Sequence, residues 1–163
     1  MKYTLCICGL MVLTVLAKAQ CEVKSRVFPD QTMYYYMDPV VFFQTEKNLL
    51  KGNLLTDKEN YFIQFIPSPF PPKSVNKKFK SPAVIHLSSG ITYTLDYYDY
   101  RYRRSDSTLA LMYLLPKKQL LEFKDHDILW VDLDLEDKKG ARHYIFVMHK
   151  AVVREQMTCL EAN

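Results

Sequence analysis

Glycine is scarce, at 4 of 163 residues, and none stands in the phosphate-cradling pattern of a P-loop or a dinucleotide-binding turn. Histidine is equally rare: His86, His126, His143 and His149 are the whole set. No H-E-x-x-H occurs. On an ideal strand His143 and His149 share a face but stand about 20 Å apart, too far to hold one ion. Ser88 and Ser89 lack the preceding glycine of a nucleophile elbow. From Asp132 an EF-hand loop needs Gly at position six and Glu at twelve, where Asp137 and His143 stand instead. No cofactor is therefore expected. A spatially assembled pair of carboxylates needs no linear motif, so a small envelope hydrolase stays open as an alternative.

A large excess of charge of one sign is missing as well. The formal charge of +4 falls to +2 once Lys2 and Lys18 leave with the leader described below. That is too small to announce a nucleic-acid-binding face. Long apolar runs are absent beyond the N-terminus, so no transmembrane segment is expected. No internal repeat of fixed period occurs.

What is present begins with a leader. Lys2, the apolar run "YTLCICGLMVLTVLA" and Ala17-Lys18-Ala19 form the three zones of a secretory signal peptide over residues 1–19. The mature chain is expected to start near Gln20 and to be periplasmic or secreted. Cys6 and Cys8 go with the leader, leaving Cys21 and Cys159. Two cysteines in an oxidising compartment suggest one disulfide, worth on the order of 4–5 kcal/mol at most in the loop-entropy model. Sequence alone leaves open whether the two Cβ atoms meet. The rival use of Cys21, lipid attachment, is the weaker alternative, because Lys18, Ala19 and Gln20 precede it where small residues are usual.

Residues 20–163 fit one domain with room for a core. Alternation reads mostly as strands: Met33–Met37, Val40–Thr45 and Asn60–Ile66, the last ending at Pro67. Residues 67–82 carry five prolines and form a Pro/Lys-rich surface loop. There Lys73, Lys77, Lys78 and Lys80 surround Phe70 and Phe79. The loop is either a solvated connection or a contact for an acidic glycan or anionic lipid surface. "AVIHL" and "ITYTLDYY" flank the turn Ser88-Ser89-Gly90 as a hairpin. Leu109–Leu115, "ILWVDLDL" and "ARHYIFVMH" are further strands. Pro116 opens a short helix that turns Leu120, Leu121 and Phe123 to the core, and Ala151–Leu160 forms a closing helix. The class is mainly β, an antiparallel sheet or β-sandwich with one or two short helices, with α+β as the alternative.

The stretch "TYTLDYYDYRYRRSDS" holds the best binding candidates. Tyr93, Leu95 and Tyr97 share one parity and Tyr98, Tyr100 and Tyr102 the other, so the ring-bearing face switches at Tyr97-Tyr98. A bulge or strand end near Asp96–Asp99 explains the switch. Leu95 should then pack inward, while Tyr98, Tyr100, Arg101, Tyr102, Arg103 and Arg104 form an exposed edge or loop. Aromatic rings stack on sugars and Arg pairs with carboxylates. The competing reading is an edge strand guarded by charge.

The Ala-X-Ala-Gln leader end, "MDPVVFF", "AVIHLSSGITYTL" and "YLLPKKQLLEFKDHDILWVDLDL", with a terminal helix ending in "CL", resemble small exported β-rich proteins of Gram-negative bacteria of the Bacteroidetes kind, whose function is uncharacterised. The resemblance implies the fold and the compartment and supplies no functional residues. The expectation is an exported non-enzymatic domain binding an envelope protein or glycan, with a structural subunit of a surface assembly as a further alternative. Oligomeric state is left open.

Overall fold

The computed structural model describes residues 21–73, 78–103 and 107–162. The expected leader, Lys77 and Arg104 lie outside the described residues. Among the described residues eleven strands and two α-helices, the first preceded by a 3-10 turn at Lys117–Gln119, follow in the order β1 (Lys24–Val27), β2 (Met33–Tyr36), β3 (Val40–Gln44), β4 (Leu49–Thr56), β5 (Tyr61–Ser68), β6 (Ala83–Leu87), β7 (Thr92–Leu95), β8 (Tyr97–Arg103), β9 (Thr108–Leu115), α1 (Leu120–Asp125), β10 (Ile128–Asp134), β11 (Ala141–Ile145) and α2 (Val152–Glu161). The mainly-β class with a C-terminal helix is as the alternation predicts.

All pairings are antiparallel. The large sheet runs β1-β2-β4-β5-β9-β8, with β3 also on β4, and the small sheet runs β11-β10-β6-β7. Their inward faces meet in one core, where Phe42, Leu54, Ile63 and Phe65 face Ile85, Val131, Tyr144 and Phe146. Phe123, Val153 and Met157 of the helices complete it. The sheets join at both sides. The chain passes from β7 to β8 through Asp96, whose carbonyl accepts from Leu114, and beyond β11 Val147 and Met148 donate to the Phe42 carbonyl at 3.1 and 3.3 Å.

Strand β4 was invisible to alternation because Lys51, Gly52 and Asn53 interrupt its leucines. It is nonetheless central, pairing β5 along its whole length. Gly52 is needed there: a Cβ would lie 2.5 Å from the Gln64 carbonyl oxygen and 2.6 Å from the Phe42 ring. On its other side β4 pairs first with β3 and then with β2. Gln156 of α2 fills the gap between them. Its Oε1 accepts from Leu54 N–H at 2.7 Å, its Nε2 donates to the Asp38 carbonyl at 3.3 Å, and Asn53 Nδ2 donates to the Met37 carbonyl at 2.8 Å. Side chains thus replace the missing ladder bonds, sparing buried backbone groups a penalty of about 1–3 kcal/mol each.

Two expectations need correction. Strand β5 continues through Pro67, which pairs Leu50, because β9 pairs β5 only as far as Phe65 and the missing Pro67 N–H interrupts no ladder on that side. Leu121 is 68% exposed. Leu120 and Phe123, three apart, share the inward face of α1, and Leu121 falls outside it.

Cys21 and Cys159 are joined, Cα to Cα 5.4 Å, tying the N-terminal segment to α2 across 138 residues. This bond and a lipid on Cys21 are mutually exclusive. Among the described residues no helix is long and apolar enough to cross a membrane.

Candidate functional site

Strand β8 is an edge of the large sheet, and its register slips between Tyr97 and Asp99. The break at Asp96 and the bulge after it stand where the parity switch places them, and Leu95 is fully buried. One consequence was not legible. The bulge puts Tyr98 on the opposite face from Tyr100 and Tyr102. Those two turn inward: Tyr100 meets Phe79 edge-on at 5.1 Å and Tyr102 meets Phe70 at 6.1 Å, its hydroxyl donating to the Pro71 carbonyl at 2.9 Å. Phe70 and Phe79 therefore anchor the Pro/Lys-rich segment to the core. Glu136 holds its far end, accepting from the Lys80 and Ser81 amides at 2.5 and 2.9 Å.

The outward set is different. Tyr98 packs on Phe62 with ring centroids 4.6 Å apart, and its hydroxyl lies 3.2 Å from that of Tyr34. Burial, with the Tyr98 hydroxyl adding to it, pushes the Tyr34 phenol above its ordinary pKa. The Arg101 guanidinium lies 3.5 Å over the Phe28 ring and bonds Asp99 at 2.9 Å. Phe28, Tyr34, Leu55, Phe62 and Met112 form a second small core between the β1–β2 hairpin and the outer face of the large sheet.

Beside that small core the hairpin leaves a cavity of about 30 Å³, whose walls include Arg26, Tyr36, Asn53, Gln64 and Arg103. It adjoins a groove of about 470 Å³ in which Tyr36, Pro39 and Arg103 recur with Lys51, Ile66 and Phe70. A third hollow, of about 700 Å³, is shared by Arg26, Arg101 and Arg103. Asn53 and Gln64 are opposite one another in the β4–β5 ladder, 2% and 1% exposed. Asn53 Oδ1 and Gln64 Nε2 have no hydrogen-bond partner, a state that costs about 1–3 kcal/mol per group. Among the described residues neither Arg26 nor Arg103 has a carboxylate at ion-pair distance. Burial first, then repulsion from Arg26 and Arg101, pushes the Arg103 guanidinium below its ordinary pKa. Asp38, on the groove wall, is held by Lys24 at 2.5 Å.

The outer face of the small sheet carries the other polar array. Thr92 Oγ1 lies 2.8 Å from His86 Nδ1, His86 Nε2 lies 3.4 Å from Asp132 Oδ2, and His143 Nδ1 lies 2.7 Å from Asp132 Oδ1. Trp130 stacks on His86 at 4.4 Å. His86 thus finds one carboxylate, and His126 finds Glu122 at 3.6 Å. A hydroxyl, an imidazole and a carboxylate in series invite comparison with a hydrolytic triad. Here they lie on a sheet surface where Thr92 is exposed, without the enclosure that makes such a relay reactive. Among the described residues no group of three or more His, Cys, Asp or Glu side chains has metal-holding geometry.

Of the sequence-derived site residues, the fold brings Arg101 and Arg103 to the cationic face, keeps Tyr98 beside them, and turns Tyr100 and Tyr102 inward. Arg26, Tyr36, Asn53 and Gln64 were missed. The one available signal was a pair of amide residues at mid-strand positions, where apolar residues are the rule. No protein-family model, curated protein or solved structure matches this chain.

Proposed function

We propose that the chain is an exported, non-enzymatic binding domain, and that it takes an anionic component of the cell envelope on the outer face of its large sheet. The leader at residues 1–19, the cysteine usage and the resemblance to exported Bacteroidetes-type proteins support the compartment. The observation that carries the binding reading is the pair Arg26 and Arg103, which share a cavity with no carboxylate at ion-pair distance from either among the described residues. Such cations raise the local concentration of anions and form strong bonds when one arrives. The test is co-sedimentation of the full chain with purified insoluble envelope material at low and high salt. Binding should fall with salt and should fall again in the Arg26→Gln/Arg103→Gln double variant. Equal sedimentation of the double variant, or release of soluble fragments from the envelope by the chain, would count against the reading.

A second reading, a structural subunit of a surface assembly, is favoured by exposed apolar side chains: Ile145, paired with Trp130, is 48% exposed and the nearby Val147 60%. A monomer across the accessible concentration range in size-exclusion chromatography would remove it.

A further inference from the structure

The chemistry of the cavity narrows the ligand. Asn53 uses both amide hydrogens inward, on the Met37 carbonyl at 2.8 Å and the Leu54 carbonyl at 3.3 Å. Its Oδ1 is therefore a fixed acceptor, and Gln64 Nε2, directly across the ladder, is a donor without a partner. A bare anion satisfies Gln64 and is repelled by Asn53 Oδ1. A cation satisfies Asn53 and is repelled by Arg26 and Arg103. An apolar group leaves both amides unpaired. A hydroxyl suits both, donating to Asn53 Oδ1 and accepting from Gln64 Nε2. The arginines beside it call for a carboxylate or another acid on the same molecule. The adjoining groove has the size of a small-molecule seat and offers the Tyr36 and Phe70 rings, Pro39 and Ile66 as apolar walls. Such walls suit the C–H faces of a pyranose.

We propose that this cavity and groove hold one residue of an acidic polysaccharide, with a ring hydroxyl between Asn53 Oδ1 and Gln64 Nε2 and the sugar carboxylate on Arg103 and Arg26. The proposal rests on the reading that the cationic outer face binds an envelope component, and it names the class of that component. Asp38 does not oppose it, because Lys24 already neutralises that carboxylate.

Isothermal titration of the full chain tests it with three probes: trigalacturonate, the neutral galactotriose and inorganic phosphate. Trigalacturonate should bind, with galactotriose and phosphate each weaker by about tenfold or more. Arg103→Gln should weaken trigalacturonate by about tenfold, and Gln64→Met should weaken it several-fold. Arg103 is half-buried on the edge strand β8 and outside the apolar core, so its variant keeps the test decisive if Gln64→Met fails to fold. Phosphate binding as tight as trigalacturonate, or trigalacturonate binding untouched by Arg103→Gln, overturns the proposal. If no acidic sugar binds but envelope sedimentation still depends on Arg26 and Arg103, the sugar assignment fails and the cationic face stands. If both are lost, both readings fall.

Discussion

The outer faces of the two sheets both carry polar side chains and use them in opposite ways. On the small sheet Thr92, His86, Asp132 and His143 form a ladder in which each group has a cross-strand partner. On the large sheet Arg26, Arg103, Asn53 and Gln64 line one cavity; among the described residues Asn53 Oδ1 and Gln64 Nε2 have no hydrogen-bond partner and the two arginines no carboxylate at ion-pair distance. The first arrangement is what sheets use for stability. The second opposes stability, and the proposed acidic ligand is what would complete it.

Breaking the contrast gives the largest effect at Arg103. Arg103→Glu should lower affinity for the proposed anionic ligand on the order of a hundredfold, because charge-assisted bonds are replaced by repulsion. His143→Glu on the small sheet should leave that affinity unchanged in the same calorimetric titration. Next in size, Asp132→Ala should lower stability by about 1 kcal/mol in urea unfolding, a modest figure because the ladder is partly exposed. If Asp132→Ala left stability unchanged, the small-sheet array would not be the stabilising member of the pair.

Gln64→Met sharpens the contrast in the other direction. Removing a buried donor that has no partner should raise unfolding stability by about 1 kcal/mol while ligand affinity falls. Loss of both together would mean that Gln64 serves packing. The smallest effect is expected at Tyr34, under the hairpin that covers the large sheet. Its folded pKa lies above the unfolded value of about 10, so the folded state keeps a proton that the unfolded state releases. Stability is therefore intact below pH about 10 and falls as pH rises beyond it. Tyr34→Phe should make that alkaline limb shallower in pH-dependent urea unfolding.

Legibility followed the range of the interactions. The turn at Gly90, the break at Asp96 and helix α2 were visible because each depends on a few consecutive residues: a glycine at φ 85°, a parity switch at Tyr97-Tyr98, a helical spacing of Val152, Val153, Met157 and Leu160. Strand β4 was hidden because it is buried on both faces, so Leu54 and Leu55 point opposite ways and alternation disappears. Its Gly52, which reads as a breaker, is there to let Phe42 and β5 approach. The site was half visible for the same reason. Arg101 and Arg103 stand in one conspicuous stretch, whereas Arg26, Tyr36, Asn53 and Gln64 come from four other strands and meet only through pairings that local pattern cannot register. The cysteines gave a pair and the fold supplied the bond, through a docking of α2 against the N-terminal segment that spacing does not encode.

The most direct test is to follow the side-chain amide resonances of the full chain by NMR while trigalacturonate is added. A ligand hydroxyl seated between Asn53 and Gln64 should move the amide signals of both on saturation, while that of Gln156, whose oxygen and nitrogen are already bonded to Leu54 and Asp38, stays in place. Unmoved Gln64 and Asn53 signals, with shifts gathered instead at Trp130 and His86, would place the ligand on the small sheet and contradict that seating.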